Sequence, residues 1–594
     1  MPLDGLTFNV PDTPRLPGEY EEAIVLATLQ EFQEHVLYRN QFAQHWEEIS
    51  SVIFPAYRNT FMYGSSNWPG QKKTELQIDA TGMMANERFS AICDSLLTPR
   101  NMTWHGLGPV DPALKKIRRV RLWFQEVNRL LFQYRYAPEG NFAGQNNANF
   151  RQLGAFGTHA MFIDGYDAPE GYRRGIRYRS VPLGELYLKE NHQGRVDGFM
   201  RHFRLTARQC LKMFGPGAFP PQLKPALDKN SQMPFNFIHH VCNRADYDPE
   251  AIFSYRGKIW ASYYICVESK TLLVEGGYRS FPLATGRYVQ IPGEVYGRSP
   301  AMMVLPALKT LNAEKTVFLR QGHRAASPVL LTSDDGLVSS LDMTPNAVNP
   351  GGVSPDGKEL VKTLPVGDIN ITKEMMQEER SLINDAFLVT LFQILTESPQ
   401  MSATEVIERT NEKGILLAPT VGRQQSEYIG DMVPRELDVL SAQGILPPMP
   451  PELREAGGEY QVVHTSPLSK AMRAQEAAGF MRTVENVREL IAITQDVSLM
   501  DPFDMDTATK DIADIQAVPE SWMASSAMIA QKRKSRAQSQ ARQQSNLEKP
   551  NNAALLSAQA KMMQAQGQRQ PSGMTGGGAL SPAPHGAPNF VGAG

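Results

Sequence analysis

SPAMMVLPALKTLNAEKTVFLRQGHR (residues 299–324), MTPNAVNPGGVSPDGKE (343–359) and TKEMMQEERSLINDAFLVTLFQILT (372–396) together decide how this chain is read. The first stretch predicts one long helix over about Ser299–Arg324, reaching on the order of 40 Å at about 1.5 Å per residue. Pro306 falls inside it and is expected to kink it. The second stretch is rich in Pro, Gly, Asn and Asp, the residues of turns. Helix resumes near Thr372 and runs to about Thr396. Ser398-Pro399 then makes a short loop, and SATE (Ser402–Glu405) is a capping box opening another helix. The order is long helix, small irregular insert, long helix, loop, capped helix.

Outward from this block the texture differs on each side. Upstream, helices are predicted over about 18–55 (Leu26, Leu29, Phe32 and Val36 at helical spacing), 80–97 and 112–134. The third carries Lys115, Lys116, Arg118, Arg119 and Arg121, which read first as a solvated face. From about 155 to 295, short apolar runs (Ala160–Ile163, Phe237–Cys242, Ile259–Cys266, Thr271–Glu275) alternate with turn residues, predicting antiparallel β-structure. The first half is therefore α+β. Downstream, 420–520 is mostly helical, interrupted by ILPPMPPE at 445–452. From about 523 the composition narrows to Gln, Ala, Ser, Met and Gly: a polar helix to about 569, then about 25 residues expected to be disordered.

Bulk properties narrow the function. A chain of 594 residues holds roughly three to five structural units. Sixty Lys and Arg stand against 62 Asp and Glu. A protein that grips DNA tightly shows a basic excess, so any nucleic acid here is one that must not stick. Four cysteines without a C-x-x-C pair suggest reduced thiols. MPLDGLTFNV has neither a basic n-region nor an apolar h-region, and no stretch approaches the roughly 20 apolar residues of a membrane span. A protein made in the cytoplasm, with no membrane partner, is expected.

The catalytic motifs fail on chemistry. Gly352 to Lys358 fits G-x-x-x-x-G-K, but Glu359 stands where a P-loop needs a hydroxyl on Mg²⁺, and Pro355 removes an amide from the anion cradle. His239, His240, Cys242 and Asp246 look like metal ligands by type. Adjacent histidines on a strand point to opposite faces, which prevents them from sharing an ion. Asp246 and Asp248 read as turn residues. No enzyme activity, cofactor or metal is expected.

The two long helices carry polar stripes. Glu374, Glu378, Ser381 and Asp385 line one face of the second; Lys309, Thr316, Arg320 and Arg324, with His323 nearby, line a face of the first. In a monomer both are solvated faces. Repeated around a ring axis, an acidic wall repels DNA while isolated cations make weak, regular contacts, a combination that permits sliding.

Scattered words now fall into a familiar order. They are Arg39 and Trp46 before Phe54-Pro55, then Asp79-Ala-Thr81 leading to Leu97-Thr98-Pro99 and Trp104. Phe156-Gly157-Thr158, Val181-Pro182-x-Gly-Glu185, Pro282 with Arg287, and Gly293-Glu294-x-Tyr296-Gly297-Arg298 follow, running into PALKTLN at 306–312. Over roughly residues 20–440 the chain resembles the portal, or head-to-tail connector, proteins of short-tailed bacteriophages of podovirus type. The resemblance implies a mainly helical α+β portal fold: wing (1–298), stem helices (299–325 and 372–396), clip (326–371), tunnel loop with the following helix (397–439), helical crown (440–522) and a low-complexity tail (523–594). It further implies a ring of about twelve copies at one capsid vertex of the virion, assembled in the host cytoplasm. Such a ring conducts double-stranded DNA during packaging and ejection. Its partners are the terminase motor, which supplies ATP hydrolysis, then a tail adaptor, with capsid and scaffolding proteins around it. Candidate channel positions are Lys309, Arg320, Arg324, Glu374, Glu378 and Asp385. The implied tunnel loop is Glu397, Ser398, Pro399, Gln400 and Met401, which has no basic residue. Docking at the clip falls to Asp342, Asn346, Asn349, Asp356 and Lys358. Lys532, Arg533, Lys534 and Arg536 in the tail read either as a solvated linker or as a contact with packaged DNA. The alternatives are another head–tail adaptor, usually much smaller, and a packaging NTPase, which needs the Walker chemistry missing here.

Overall fold

The computed structural model describes residues 19–567, except 63–69, 76, 167–173, 252–253, 333–341, 343, 345, 351, 366–368, 391–419, 465–466, 496, 516–517 and 519–521. The chain divides into two compact units, residues 1–520 and 521–594. The predicted tunnel loop, Glu397–Met401, and the SATE capping box lie outside the described residues.

The first unit opens with helix α1 (Glu19–Val52). Val25, Thr28, Phe32, Arg39, Phe42, Trp46 and Ile49 form its buried stripe, the spacing of three and four that aligns one helical face. Leu26, read from sequence as part of that stripe, is 62% exposed, and the Arg39 guanidinium takes a core place instead. Helix α2 (Thr81–Leu97) starts and stops within one residue of the sequence reading. Strand β1 (His105–Pro109) follows. The predicted 112–134 helix is two pieces, a single turn at Pro112–Lys115 and α3 (Arg118–Arg135). α3 has its apolar residues Val120, Phe124, Val127 and Leu131 inward, which leaves Lys115, Lys116 and Arg119 exposed and Arg118 and Arg121 half-buried. Helix α4 (Phe142–Phe156) packs across α2.

Two antiparallel sheets follow. The first has the order β3-β2-β9, from β2 (Thr158–Gly165), β3 (Ile176–Ser180) and β9 (Leu283–Arg287). The second is five-stranded in sequence order: β4 (Leu186–Glu190), β5 (Val196–Thr206), β6 (Pro234–Asn243), β7 (Trp260–Cys266) and β8 (Thr271–Tyr278). Each predicted apolar run lies on one of these strands or starts one residue before it. The aromatic core formed by Trp46, Phe61, Phe156, Phe150 and Tyr296 joins α1 and α4 to the sheets.

Helix α5 (Leu305–Ala326), strand β10 (Leu330–Thr332), strand β11 (Val361–Thr363) and helix α6 (Ile369–Ala386) make up the deciding block. The single predicted helix is broken once. Pro300–Met303 forms one turn, Val304 leaves helical geometry, and α5 begins at Leu305. Pro306 therefore sits in the first turn of a new helix, where its missing N–H costs nothing, instead of kinking a continuous one. After residue 419 come a π-helical turn, Gln424–Ile429, and α7 (Gly430–Ala442). Strand β12 (Tyr460–His464) pairs antiparallel with β1, and Leu453 packs against Leu114, Val120 and Phe124. Residues 440–464 are thus sewn onto the first half of the chain. Helices α8 (Pro467–Thr494) and α9 (Met505–Ile515) complete the first unit. In the second unit, helix α10 (Ser526–Gly567) matches the predicted polar helix.

The mixed, mainly helical class expected from sequence holds. Among the described residues no helix is long and apolar enough to cross a membrane.

Candidate functional site

The words scattered through the sequence are partners in space. Buried Arg39 donates to the carbonyls of Gly184 at 2.7 Å, Leu183, Leu186 and Phe61, so the helix word and the Val181–Glu185 word are one contact. Its guanidinium also stacks 3.9 Å over the Tyr187 ring. Four carbonyls give a buried cation the polar surroundings it needs. Trp46 meets the edge of Tyr296, from the Gly293–Arg298 word, at 5.0 Å between ring centres. Gly157 has φ +76, and a side chain there would strike the backbone of Gly297 and Arg298. Only glycine serves both demands. Arg287 reaches Glu427 with two nitrogens, at 3.1 and 3.2 Å, and fastens the π-helical turn to the end of β9.

This frame holds the α5–α6 pair. Ser299 accepts from the amide of Met302 and donates to Ala155 at 2.8 Å, fixing where the block leaves the core. Leu305, Ala307, Leu308 and Leu311 anchor the first half of α5; Met376, Ile383 and Phe387 anchor α6. The helices run antiparallel. Thr372 Oγ1 donates to Gln321 Oε1 at 3.2 Å, and farther along both reach Asp79. There, Asn312 Oδ1 accepts from the amides of Asp79 and Ile78, while Arg380 donates to Asp79 Oδ2 at 2.7 Å. Burial opposes ionisation of Asp79, but hydrogen bonds from Arg380 and Thr81 outweigh it and hold the carboxyl below its usual range. The word Asp79-Ala-Thr81 is therefore a clamp on both long helices.

The far faces of the pair are open. Lys309, Arg320, Arg324, Glu374, Glu378 and Asp385 are all exposed, and Lys309 reaches back to Glu48 at 2.7 Å. Glu314 on α5 is raised by partial burial and by Glu379 and Glu378 across the pair, which is a like-charge seam. Beside the acidic stripe lies an apolar one that the sequence reading missed. Ile371, Met375 and Leu382 are 58, 49 and 53% exposed, and at 100° per residue they fall within about 40° of one another. Their i, i+4, i+11 spacing was the available signal.

The insert rises on a two-stranded stalk, β10 against β11. Gly352–Lys358 is a tight hairpin turn. The Ser354 amide donates to Lys358 O, the Gly357 amide donates to Ser354 O, and Val353 bridges to Glu359. Two of the amides a P-loop aims at phosphate are thus spent internally. The Asn349 side chain accepts from the Asp342 amide at 2.7 Å and donates to the Asp342 carbonyl at 2.8 Å, and Asn346 has positive φ, so these three shape the loop. Asp356 and Lys358 are exposed at the hairpin.

The metal-like cluster is dispersed as expected. His239 stacks on Tyr264 at 4.0 Å and meets Ser262, while His240 faces Thr28 on the other side of the sheet. Among the described residues no group of three or more His, Cys, Asp or Glu is placed to hold a metal. Asp248 accepts from the Glu250 amide, a turn role.

The family model for the bacteriophage head to tail connecting protein matches residues 27–523. The chain belongs to this family. The match spans the clamp, the helix pair and the insert of the connector chain and stops short of α10. A probable portal protein of Bordetella phage BPP-1 is 28% identical over 525 residues, covering 86% of this chain and 90% of that protein. A portal protein of Salmonella phage epsilon15 is 24% identical over 487 residues, covering 81% and 85%. Among solved structures, a chain in the neck of an empty gene transfer agent particle is 12% identical, with a TM-score of 0.32, covering 67% of this chain and 84% of that one.

One further site of this connector escaped the sequence. Arg135 and Glu436, both fully buried, meet at 2.9 and 2.5 Å, and the Tyr178 hydroxyl donates to the same carboxylate. Arg135 also lies 4.5 Å over the Trp104 ring. With the partners 301 positions apart in sequence, no local pattern announces the pair.

Proposed function

We propose that this connector chain assembles head to tail into the portal ring at one vertex of a phage capsid, and that it is a structural component of the virion with no reaction of its own. Family membership and the two portal relatives support the ring and its place. The observation that carries the subunit contact is the apolar stripe Ile371, Met375 and Leu382. It lies half-exposed on a helix whose opposite face is already packed. A surface of that kind needs a partner, and a heterologous contact between identical copies closes into a ring when the rotation divides a full turn. About twelve copies is the number we propose, as closed cyclic symmetry allows.

In this reading α5 and α6 are the stem, residues 326–371 the clip, residues up to 298 the wing, about 440–522 the crown and 523–594 the tail. With the apolar stripe against the neighbouring copy, the adjacent acidic stripe of Glu374, Glu378 and Asp385 turns toward the bore. Lys309, Arg320 and Arg324 punctuate the wall. Repulsion with spaced weak contacts lets double-stranded DNA slide in both directions. Glu397, Ser398, Pro399, Gln400 and Met401 are the segment we assign to the tunnel loop, where contact is steric or through Gln400. The terminase motor, and later the tail adaptor, dock on the clip. Asp356 and Lys358 present charge at its hairpin, while Asp342, Asn346 and Asn349 hold its shape. Capsid and scaffolding proteins surround the wing.

The test is a Met375→Asp/Leu382→Asp variant studied by sedimentation velocity. Both positions are half-exposed, so circular dichroism should match the parent while assemblies fall apart into single chains. A variant that assembles as fully as the parent removes this stripe as the subunit contact.

A further inference from the structure

Charge in this chain is divided between its two units. Residues 521–594 hold eight Lys and Arg against a single acid, Glu548, which leaves 52 basic against 61 acidic residues in 1–520. Five of the eight are packed into Lys532, Arg533, Lys534, Arg536 and Arg542 on α10. Every residue from 530 to 543 is exposed. The near-neutral total that argues against a DNA-gripping chain therefore hides a strongly cationic second unit.

The distribution around the helix selects the partner. At 100° per residue the five cations point to nearly all sides of the helix, not along one face. A membrane-surface helix needs a broad apolar face opposite its cations. Between 530 and 543 the only apolar residues are Ala530, Ala537 and Ala541. A protein interface needs large buried anchors, and this stretch offers none. A helix positive all round suits a groove walled by phosphates on both sides. The B-form major groove, about 12 Å wide, accepts one helix, whereas the narrow major groove of double-stranded RNA does not.

We propose that Lys532, Arg533, Lys534 and Arg536, extended by Arg542, form a sequence-independent binding element for the backbone of double-stranded DNA. It shares no residue with the proposed channel and stands whether or not the chain forms a ring. Carried on a helix beyond the family match, it would hold a DNA segment without adding grip to the proposed channel wall.

The experiment uses full-length protein and a fluorescent 30-base-pair duplex, with binding followed by anisotropy across a salt series. The variant Lys532→Gln/Arg533→Gln/Lys534→Gln/Arg536→Gln keeps helix-forming residues at each position. Each phosphate contact adds about 0.9 to the slope of log affinity against log salt, so the variant should lose about 2–3.6 from that slope and bind about ten-fold or more weakly at 0.1 M salt. A control variant, Lys115→Gln/Lys116→Gln/Lys212→Gln/Lys224→Gln, removes four exposed cations from the first unit and should leave the slope unchanged. Equal losses in both variants, an unchanged slope in the first, or equally tight binding of double-stranded RNA would overturn the proposal. So would a first variant that keeps its DNA slope but loses association with an acidic protein of the particle.

Discussion

Replacing Glu436 with Gln should unfasten the two chain-distant halves of the first unit. In the parent, the fully buried Arg135 guanidinium donates through Nε and Nη2 to the two carboxylate oxygens, and Tyr178 donates to one of them. Among the described residues Arg135 Nη1 meets no hydrogen-bond partner, so the carboxylate is the principal compensation for this cation. The amide keeps the shape of the side chain but removes the charge, and it points an N–H₂ donor at donors. Leaving one member of a buried pair uncompensated costs about 3–5 kcal/mol. For a unit of this size that lowers the apparent Tm by about 3–5 °C. Thermal unfolding is compared at matched protein concentration, because assembly also shifts the midpoint. The double variant Arg135→Met/Glu436→Met, with no buried charge left, should recover most of the loss. A drop below about 1 °C for Glu436→Gln, or a double variant worse than the single, would refute the reasoning.

Three further outcomes follow from the same packing. Burial depresses His159, His202 and His240 to about 4, so the unfolded chain takes up protons below about pH 6.5 that the folded chain refuses. Stability present above pH 6.5 is therefore lost as pH falls toward 4. Asp431, raised to about 6 by burial, offsets one histidine. Denaturation midpoints from pH 7.5 to 5 should decline, with a shallower decline in His159→Gln; a flat profile contradicts the assignment. Gly157→Ala should cost at least about 2 kcal/mol in thermal unfolding, from positive φ plus collision with Gly297 and Arg298. Gly444→Ala, with φ +67 but open space, should cost only the backbone strain of about 1 kcal/mol, and equal costs would sink the steric argument. Deleting residues 342–358 should leave assemblies intact while capsids stay empty, and capsids that fill normally would rule out the insert as the motor's dock.

What the sequence disclosed depended on range. α2 and the strands β2, β6, β7 and β8 were legible because their hydrophobic periods and their turn residues agree locally. Pro306 was placed correctly in a long helical stretch but misread as a kink, because one non-helical residue, Val304, resets the helix and makes that proline an opening residue. Leu26 was misassigned because α1 meets the core through Arg39, whose burial depends on carbonyls more than 140 residues away. The site divides the same way. Both polar stripes on α5 and α6 are exposed as their spacing implied, while the Asp79–Arg380 clamp and the Arg135–Glu436 pair are products of tertiary structure. The stripe of Ile371, Met375 and Leu382 was there to be counted, but only the acidic stripe beside it was read.

A ring built from the α5–α6 pairs of identical copies is the assembly we propose. Electron microscopy of the purified full-length protein tests it most directly. A closed ring of about twelve copies around an open bore, with the paired helices lining that bore, is the expected image. A stable single chain, or a compact multimer without a central channel, would contradict it.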